Sequence, residues 1–419
     1  MQRDTKIFLI NTFHLTFLRG VSRVAPLIYT PYLIHKLGLS NVGTLEFVKA
    51  ISFYFSTFVS YGFRYSATKQ VSLYKEQKNI VGEIISSVYA LKLIALGISF
   101  LLILGLVACV PTIRQDKIYL LTFFPVVMGS TLFPTFVFQA LEKMKWLTTL
   151  NLITKALFIT SIFMWVQGPA DTLLLPILLG SIDLLRLFIA LYLVYNKLGV
   201  PWALPNRAIM VEQLKEGVHI FFPELATMFY ARFPAIFLRL FVGPTAVGIY
   251  TLGDRLIRTT TGMIDPFMQA LYPVAYKQFN QDQQEGIRLI KRVAMASLAV
   301  LAVVGMLYWY FADPIVALFA GKPLPAGVRI FKLHAFLPCI VILSNIVGIG
   351  ILLPLKTGNQ YTFSMFLAGL LCAALHFLLV PTMQTQGAAW AILIAETAAT
   401  VMMLGCAHHR LTKKNPIKY

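Results

Sequence analysis

Two consecutive apolar stretches carry more charge than a membrane-spanning helix normally tolerates. The first, from about residue 217 to 242, contains Glu224, Arg232 and Arg239. A charge at the bilayer centre costs roughly 2.5 to 3.5 kcal/mol on insertion scales, so each charge is expected to face a partner or a wet cavity. Arg232 and Arg239 are seven positions apart and share a helix face, with no acidic residue within four positions of either. Two basic side chains on one face of an apolar helix indicate an anion between helices.

The second stretch, from about residue 246 to 272, contains acids as well as arginines. Asp254 and Arg258 are four positions apart and can pair on one helix. Asp265 stands beside Pro266 and has no basic residue four positions before or after it. If ion movement drives the protein, Asp265 is the first candidate for the coupling acid and Asp254 the second. The alternative for both carboxylates is simple neutralisation of an arginine.

Basic residues predominate in the apolar stretches as a whole. With Lys291, Arg292 and Arg329 counted among the connections, the stretches contain twelve Lys and Arg residues and six Asp and Glu residues. Arg19 and Arg23 lie four positions apart in the first stretch, again with no acid on that turn. This excess predicts a cationic cavity. The predicted substrate-binding residues are Arg19, Arg23, Lys155, Arg232, Arg239, Arg255 and Arg258. Interhelical salt bridges, for instance with Glu46, remain the alternative for the arginines.

Other polar residues of the apolar stretches have mainly structural interpretations. Asp183 with Arg186, and Glu46 with Lys49, are spaced for ion pairs within one helix. Histidine is the side chain that ordinarily titrates near neutral pH, so His334 and His376 allow either a proton role or polar packing.

Composition requires a membrane protein. The 419 residues are 58% hydrophobic and 13% charged, whereas soluble chains are about half apolar and a quarter charged. The net charge of +19 lies mostly at the ends of apolar stretches, which indicates a bilayer and no nucleic-acid partner. The first apolar stretch has the length of a span and lacks a small-residue cleavage site, so no cleavable signal peptide is expected. The four cysteines show no C-x-x-C spacing, and we predict no metal and no cofactor.

Hydropathy predicts an all-α polytopic protein with about twelve transmembrane helices in two six-helix bundles around a central cationic cavity. The predicted spans are residues 7–33, 44–66, 84–109, 118–140, 147–167, 172–195, 217–242, 246–272, 290–312, 328–353, 361–380 and 387–408. The predicted division is an N-terminal bundle of residues 1–195, a cytoplasmic linker of 196–216 and a C-terminal bundle of 217–419. Nineteen basic residues lie on the side of both termini and five on the other, so both termini are predicted to be cytoplasmic.

The two halves share a weak internal repeat. Residues 37–49 read LGLSNVGTLEFVK and residues 242–255 read VGPTAVGIYTLGDR. Each places a glycine-containing turn before Val-Gly, and a basic residue, Lys49 or Arg255, follows six or seven positions later. A parallel repeat of two six-span bundles is one plan for transporters, with the substrate path between the halves.

Two segments resemble a known family. VSYGFRYSATKQVSLYKEQK, at residues 59–78, resembles the GF-x-x-SAT-[RK] segment of Wzx-type O-antigen flippases. VGIYTLGDRLIR, at residues 247–258, resembles the start of the eighth helix in the wider polysaccharide transporter family. That family shares a superfamily with multidrug antiporters and lipid II flippases.

The resemblance implies alternating access by a V-shaped bundle in the bacterial inner membrane. It implies movement of an undecaprenyl-pyrophosphate-linked oligosaccharide from the cytoplasmic to the periplasmic leaflet, with polymerase and chain-length proteins of the pathway as further partners. Pyrophosphate is an anion that arginine binds through forked, charge-assisted hydrogen bonds, in agreement with the cationic excess.

Other classes of protein fit less well. A metal-dependent glycosyltransferase needs an acidic cluster such as D-x-D at the membrane surface, and the sequence has none. An O-antigen polymerase usually has a large outward loop, whereas the longest outward connection predicted here is near residues 313–327. An ion-coupled antiporter of small cations needs an acidic cavity. We therefore predict a flippase with no catalytic residues, and keep the polymerase and the antiporter as alternatives.

Overall fold

The computed structural model describes residues 2–412, and the side chains of that range except at 2–19, 21, 23, 222–224, 226–227 and 229–231. Every regular element in this range is a helix, in agreement with the predicted all-α class. Contacts divide the chain into an N-terminal unit, Met1–Leu225, and a C-terminal unit, Ala226–Tyr419. This boundary lies inside a helix, and the division predicted from the 196–216 linker stays a prediction.

The N-terminal unit begins with a helix that turns back on itself. In order, the elements are α1 (Gln2–Ser60), α2 (Phe63–Leu73), α3 (Lys78–Cys109), α4 (Pro111–Gln115), α5 (Lys117–Leu132), α6 (Thr135–Ala140), α7 (Met144–Trp165), a 3-10 segment (Pro169–Leu173), α8 (Leu174–Tyr192) and a π-helical segment (Leu193–Lys197). Gly38 interrupts α1 with a φ of 83°, a conformation that glycine adopts without steric cost. The break separates the first two predicted spans.

The C-terminal unit, like the N-terminal one, contains a long helix that is interrupted by a backbone break. Its elements are α9 (Arg207–Phe241), which begins in the first unit, α10 (Pro244–Gly262), α11 (Ile264–Gln281), α12 (Gln283–Tyr310), α13 (Ala312–Ala320), α14 (Pro325–His334), α15 (Leu337–Val347), a π-helical segment (Gly348–Leu352) and α16 (Gly358–Thr412). Gln384, with a φ of 51°, breaks α16 between the last two predicted spans.

Eight helical segments of the described chain are long and apolar enough to cross a membrane. A helix satisfies most of its backbone N–H and C=O groups through its own hydrogen bonds, as the bilayer interior requires. The protein is therefore an integral membrane protein. The predicted seventh and eighth spans, which hold the charges considered first, are not among the eight. The count of twelve spans stays a prediction.

Equivalent turns in the two units have the same backbone geometry. Glu142 and Lys356 are non-glycine residues with φ values of 57° and 59°, and each follows a helix end. At the first turn the Lys143 amide donates to Phe138 O (2.8 Å), and at the second the Thr357 amide donates to Leu352 O (2.9 Å). This six-to-one hydrogen bond after a left-handed residue is the Schellman ending of a helix. The recurrence supports an internal repeat independently of the shared sequence letters.

Candidate functional site

A buried acid organises one polar cluster in the C-terminal unit. Asp254, on α10, is only 4% exposed. Its Oδ2 accepts a hydrogen bond from Nε of Arg258 on the next turn, which confirms the predicted ion pair. Its Oδ1 lies 2.9 Å from Nδ1 of His334 at the end of α14. The carboxylate thus has two nitrogen partners, one local and one from a distant part of the chain.

His334 connects three helices. The side chain is fully buried, with one ring nitrogen at Asp254 of α10. The other nitrogen, Nε2, lies 3.2 Å from the carbonyl oxygen of Ala389 in α16. The ring of Tyr250 stands at 90° to the imidazole, with 6.1 Å between the centroids. We call Tyr250, Asp254, Arg258, His334 and the Ala389 carbonyl the Asp254 cluster.

Small residues allow this approach of α10 to α14. Gly253, next to Asp254, lies so close to α14 that a Cβ atom there would stand 2.9 Å from the carbonyl oxygen of Gly327 and 3.0 Å from Cβ of Ile330. A larger residue would push the two helices apart. Gly253 therefore brings the Asp254 carboxylate within hydrogen-bond distance of His334.

Further polar groups surround Arg258. Tyr250, Cys372, His376 and Glu396 all interact electrostatically with its guanidinium. The Tyr250 hydroxyl and Nη2 of Arg258 are both buried, and neither makes a hydrogen bond of normal geometry within the described part of the chain. Arg258, whose side chain is 39% exposed, thus lies next to polar groups of both α10 and α16.

A second cluster lies in the N-terminal unit. Nη2 of Arg186 lies 3.0 Å from Oδ1 of Asp183 on the same turn of α8, which confirms the ion pair predicted from their spacing. Nη1 of Arg186 also donates to Oδ1 of Asn151 in α7 at 2.8 Å, and its guanidinium lies 4.5 Å from the ring centroid of Phe133. A Cβ atom on Gly129 of α5 would stand 2.8 Å from the Asp183 carbonyl carbon, so α5 and α8 pack closely here.

Lys155 adds a second cation to this cluster. It stands one turn after Asn151 on α7, and its Nζ donates to the Ser22 hydroxyl of α1. It also interacts electrostatically with Asp183 and Arg186. We call Ser22, Asn151, Lys155, Asp183 and Arg186 the Lys155 cluster. Two cations share one carboxylate in it, so the cluster has one net positive charge.

A cavity of about 350 Å³, whose walls are mostly apolar but include several hydroxyl groups, lies between α1, α5 and α8 of the same unit. Ser52, Ser56 and Ser60 line it from one face of α1, at intervals of four residues. Its lining also includes Ser130, Thr131 and Lys49, and Lys49 pairs with Glu46 at 3.4 Å as predicted. Such a wall offers polar contacts to water or to hydroxyl groups of a ligand.

The other predicted site residues are distributed along three helices. The side chains of Arg19 and Arg23 lie outside the described set. On α9, Arg232 is half-buried and Arg239 is 8% exposed, while Arg255 is half-buried on α10. Asp265 is exposed in the first turn of α11. Each of these four described residues has a partner. The assignment of all of them to substrate or ion binding stays a prediction.

Sequence reasoning missed three features of these clusters. It did not connect His334 with Asp254, or Asn151 with Arg186, because helical spacing carries no information about contacts between distant helices. It also gave no role to Lys92, which is 5% exposed and donates to the Thr131 carbonyl at 2.7 Å. Its ammonium lies 5.4 Å from the ring centroid of Phe136. Lys92 shows that a carbonyl and an aromatic face can hold an intramembrane cation.

Comparison with known sequences agrees with the resemblance. The family model described as "Polysaccharide biosynthesis protein" matches residues 8–279. A curated protein of Escherichia coli (strain K12), named "Putative O-antigen transporter", is 27% identical over 398 residues, which are 94% of this chain and 95% of that protein. A protein of the same name from Shigella dysenteriae is 24% identical over 396 residues, covering 94% and 97% of the two chains.

Solved structures show the same fold at low sequence identity. The lipid II flippase MurJ, in an inward closed conformation, superposes with a TM-score of 0.69 at 14% identity, covering 96% of this chain and 87% of that chain. An inward-facing multidrug resistance MATE family transporter of the MOP superfamily gives a TM-score of 0.71 at 12% identity, covering 93% and 94%. The family model covers more than half of the chain, and the protein belongs to the polysaccharide biosynthesis protein family.

Proposed function

We propose that the protein is a flippase for an anionic, lipid-linked oligosaccharide. The substrate is an undecaprenyl-pyrophosphate-linked repeat unit of O-antigen or of a similar polysaccharide. It moves from the cytoplasmic to the periplasmic leaflet of a bacterial inner membrane by alternating access, with both termini of the protein in the cytoplasm. Membership of the family, the names of the curated relatives and a fold shared with transporters and a flippase support this proposal.

The net positive charge of the Lys155 cluster is the observation that carries the choice of an anion. Lys155 and Arg186 share Asp183, which among the described residues is the one acid that contributes to the electrostatics of Lys155. An uncompensated intramembrane cation is costly, and such a residue is functional by default. A pyrophosphate offers the missing negative charge and accepts forked hydrogen bonds from arginine. A site for cationic drugs would need the opposite excess, which argues against the small-cation antiporter.

Within this function, the residues have different proposed roles. Lys155 is the first substrate-binding candidate, with Arg19, Arg23, Arg232, Arg239 and Arg255 as further anion ligands. Arg258 is already held by Asp254, so its role is to keep the Asp254 cluster together and to offer only its Nη2 to a ligand. Asp254 and Asp265 remain the proposed coupling acids.

Transport in vesicles tests the proposal directly. Purified protein is reconstituted with a fluorescent undecaprenyl-pyrophosphate oligosaccharide, and an impermeant quencher reports the leaflet of the probe. We expect protein-dependent translocation that a polymerase would not give, since a polymerase lengthens the glycan without moving it between leaflets. Chain growth without translocation would establish the polymerase instead.

A matched pair of variants tests the contribution of the Lys155 cluster to translocation. Lys155→Ala removes a charge-assisted contact of about 1.5 to 3 kcal/mol, so translocation should fall roughly tenfold or more per inserted molecule. Lys145→Ala is the control, because Lys145 is an exposed lysine in the first turn of the same helix. Equal translocation by both variants would remove Lys155 from the substrate path.

A further inference from the structure

We propose that His334 is a proton-binding site of the C-terminal unit and that it holds its proton in this conformation. A neutral imidazole has one nitrogen that donates and one that accepts. In this protein both ring nitrogens face acceptors: Nδ1 the Asp254 carboxylate at 2.9 Å, and Nε2 the Ala389 carbonyl oxygen at 3.2 Å. Only the doubly protonated imidazolium donates to both.

The ionisation state of Asp254 supports the assignment of the proton to His334. A protonated carboxyl group could donate to Nδ1 and leave the imidazole neutral. The other oxygen of Asp254, however, accepts from the guanidinium of Arg258, which is charged at every physiological pH. This contact favours the ionised carboxylate, an acceptor only. The proton between Asp254 and His334 therefore belongs to the histidine.

Charged and titratable groups of four helices lie around the Asp254 cluster. On α10 the cluster has Asp254, Arg258 and the Tyr250 phenol, and α16 adds Cys372, His376 and Glu396 around Arg258. On α14 itself, Lys332 pairs with Asp313 of α13 at 2.9 Å.

His376 provides an internal contrast within the same unit. It is also fully buried, and its Nδ1 lies 2.7 Å from the carbonyl oxygen of Cys372 one turn earlier. Its Nε2 is buried and has no hydrogen-bond partner in the described part of the structure. A neutral imidazole has one N–H group and therefore needs one acceptor, which is what His376 has. Two buried histidines of one unit thus differ in their expected charge because their acceptors differ in number.

The proton links the packing of the helices to the protonation state. If His334 loses its proton, a ring lone pair faces either the Asp254 carboxylate or the Ala389 carbonyl. Both arrangements are repulsive in a buried site. Separation of α14 from α10 or α16 and release of the proton therefore favour each other. If the proposed flippase function holds, this linkage makes His334, together with its partner Asp254, a group through which a proton gradient can bias transport.

Nitrogen NMR of the whole protein tests the charge of His334 without any substrate. The protein is labelled with ¹⁵N-histidine in lipid nanodiscs, and the two buried histidines are assigned by signals lost in His334→Gln and His376→Gln. At pH 7 we expect two protonated ring nitrogens for His334, and one protonated and one bare nitrogen for His376. A bare nitrogen on His334 at pH 7 would overturn the proposal.

A second variant keeps the test informative if His334→Gln fails to fold. Asp254→Asn presents an amide that can donate to Nδ1, so His334 should become neutral while its signal remains. If His334 stays fully protonated in Asp254→Asn, the carboxylate is not what retains the proton, and the assignment to the Asp254 cluster is wrong.

Proton movement during transport tests the coupling. Vesicles with a trapped pH indicator receive the lipid-linked oligosaccharide, and proton flux is measured beside translocation. We expect His334→Gln to lose proton flux and dependence on a pH gradient, while His376→Gln retains both. Unchanged proton flux in His334→Gln would refute the coupling role. Absence of translocation in the wild type, with a charged His334 in the NMR spectrum, would refute the proposed function and leave the proton site intact.

Discussion

Gly253 of α10 lies against the backbone of Gly327 in α14, and a Cβ atom at position 253 would stand 2.9 Å from the Gly327 carbonyl oxygen. The neighbouring residue, Asp254, reaches His334 at the end of the same α14. The close helix contact and the buried polar contact therefore depend on one another.

Gly253→Ala should destabilise the protein because it forces α10 away from α14. Overpacking of this kind costs about 1 to 3 kcal/mol, and the stretched contact to His334 adds to it. Thermal unfolding of the purified protein measures the effect. Gly97→Ala is the control, since Gly97 lies inside α3 with no heavy atom within 4 Å of the added Cβ. That variant should be neutral or slightly more stable, because alanine favours a helix over glycine. Equal melting temperatures for the two variants would contradict the packing argument.

Asp183→Asn should reduce the amount of inserted protein. The change leaves Lys155 and Arg186 without their shared carboxylate, and breaking a buried ion pair costs about 3 to 5 kcal/mol. Asp313→Asn is the control, because Asp313 pairs with Lys332 at an exposed position. Abundance in the membrane is measured by immunoblotting, and Asp183→Asn combined with Arg186→Met should recover part of it. Normal abundance of Asp183→Asn alone would show that Asp183 is not needed to balance the cluster.

Arg232→Ala should lower transport without lowering the amount of protein, if this arginine contacts substrate. We expect roughly a tenfold loss or more of surface glycan per inserted molecule, from a contact of about 1.5 to 3 kcal/mol. Arg232→Lys should recover part of the activity, since the charge remains while the forked geometry is lost. Arg207→Ala, an exposed arginine at the start of the same helix, is the control. Normal glycan per molecule with reduced abundance would show that Arg232 is structural.

The charge asymmetry of the connections predicts the orientation of the protein. Single cysteines at positions 75, 202 and 413 should be shielded from an impermeant thiol reagent in intact cells, and cysteines at 114 and 322 should react after the outer membrane is permeabilised. The four native cysteines are replaced first. Labelling at 75 or 202 before lysis would reverse the predicted topology.

Much of the architecture follows from the order of residues along single helices. The apolar stretches determine where helices form, because a helix satisfies the backbone groups of a span-length apolar stretch within that stretch. The pairs Asp254–Arg258, Asp183–Arg186 and Glu46–Lys49 were predictable because residues three or four apart face each other on one helix. The turn at Gly38 was also expected from a glycine between two apolar stretches.

Contacts between helices depended on the tertiary structure. His334 is 80 residues from Asp254, and Ser22 is 133 residues from Lys155. The spacing of residues along one helix does not predict such partners, because these contacts depend on which helices pack together and how closely. Gly129 and Gly253 allow the helices to pack this closely. Only the structure shows which backbone atoms of the neighbouring helix lie against them. The sequence by itself therefore determined a helical membrane protein with excess internal cations, while tertiary packing decided which polar groups meet between helices, such as His334 with Asp254 and Lys155 with Ser22.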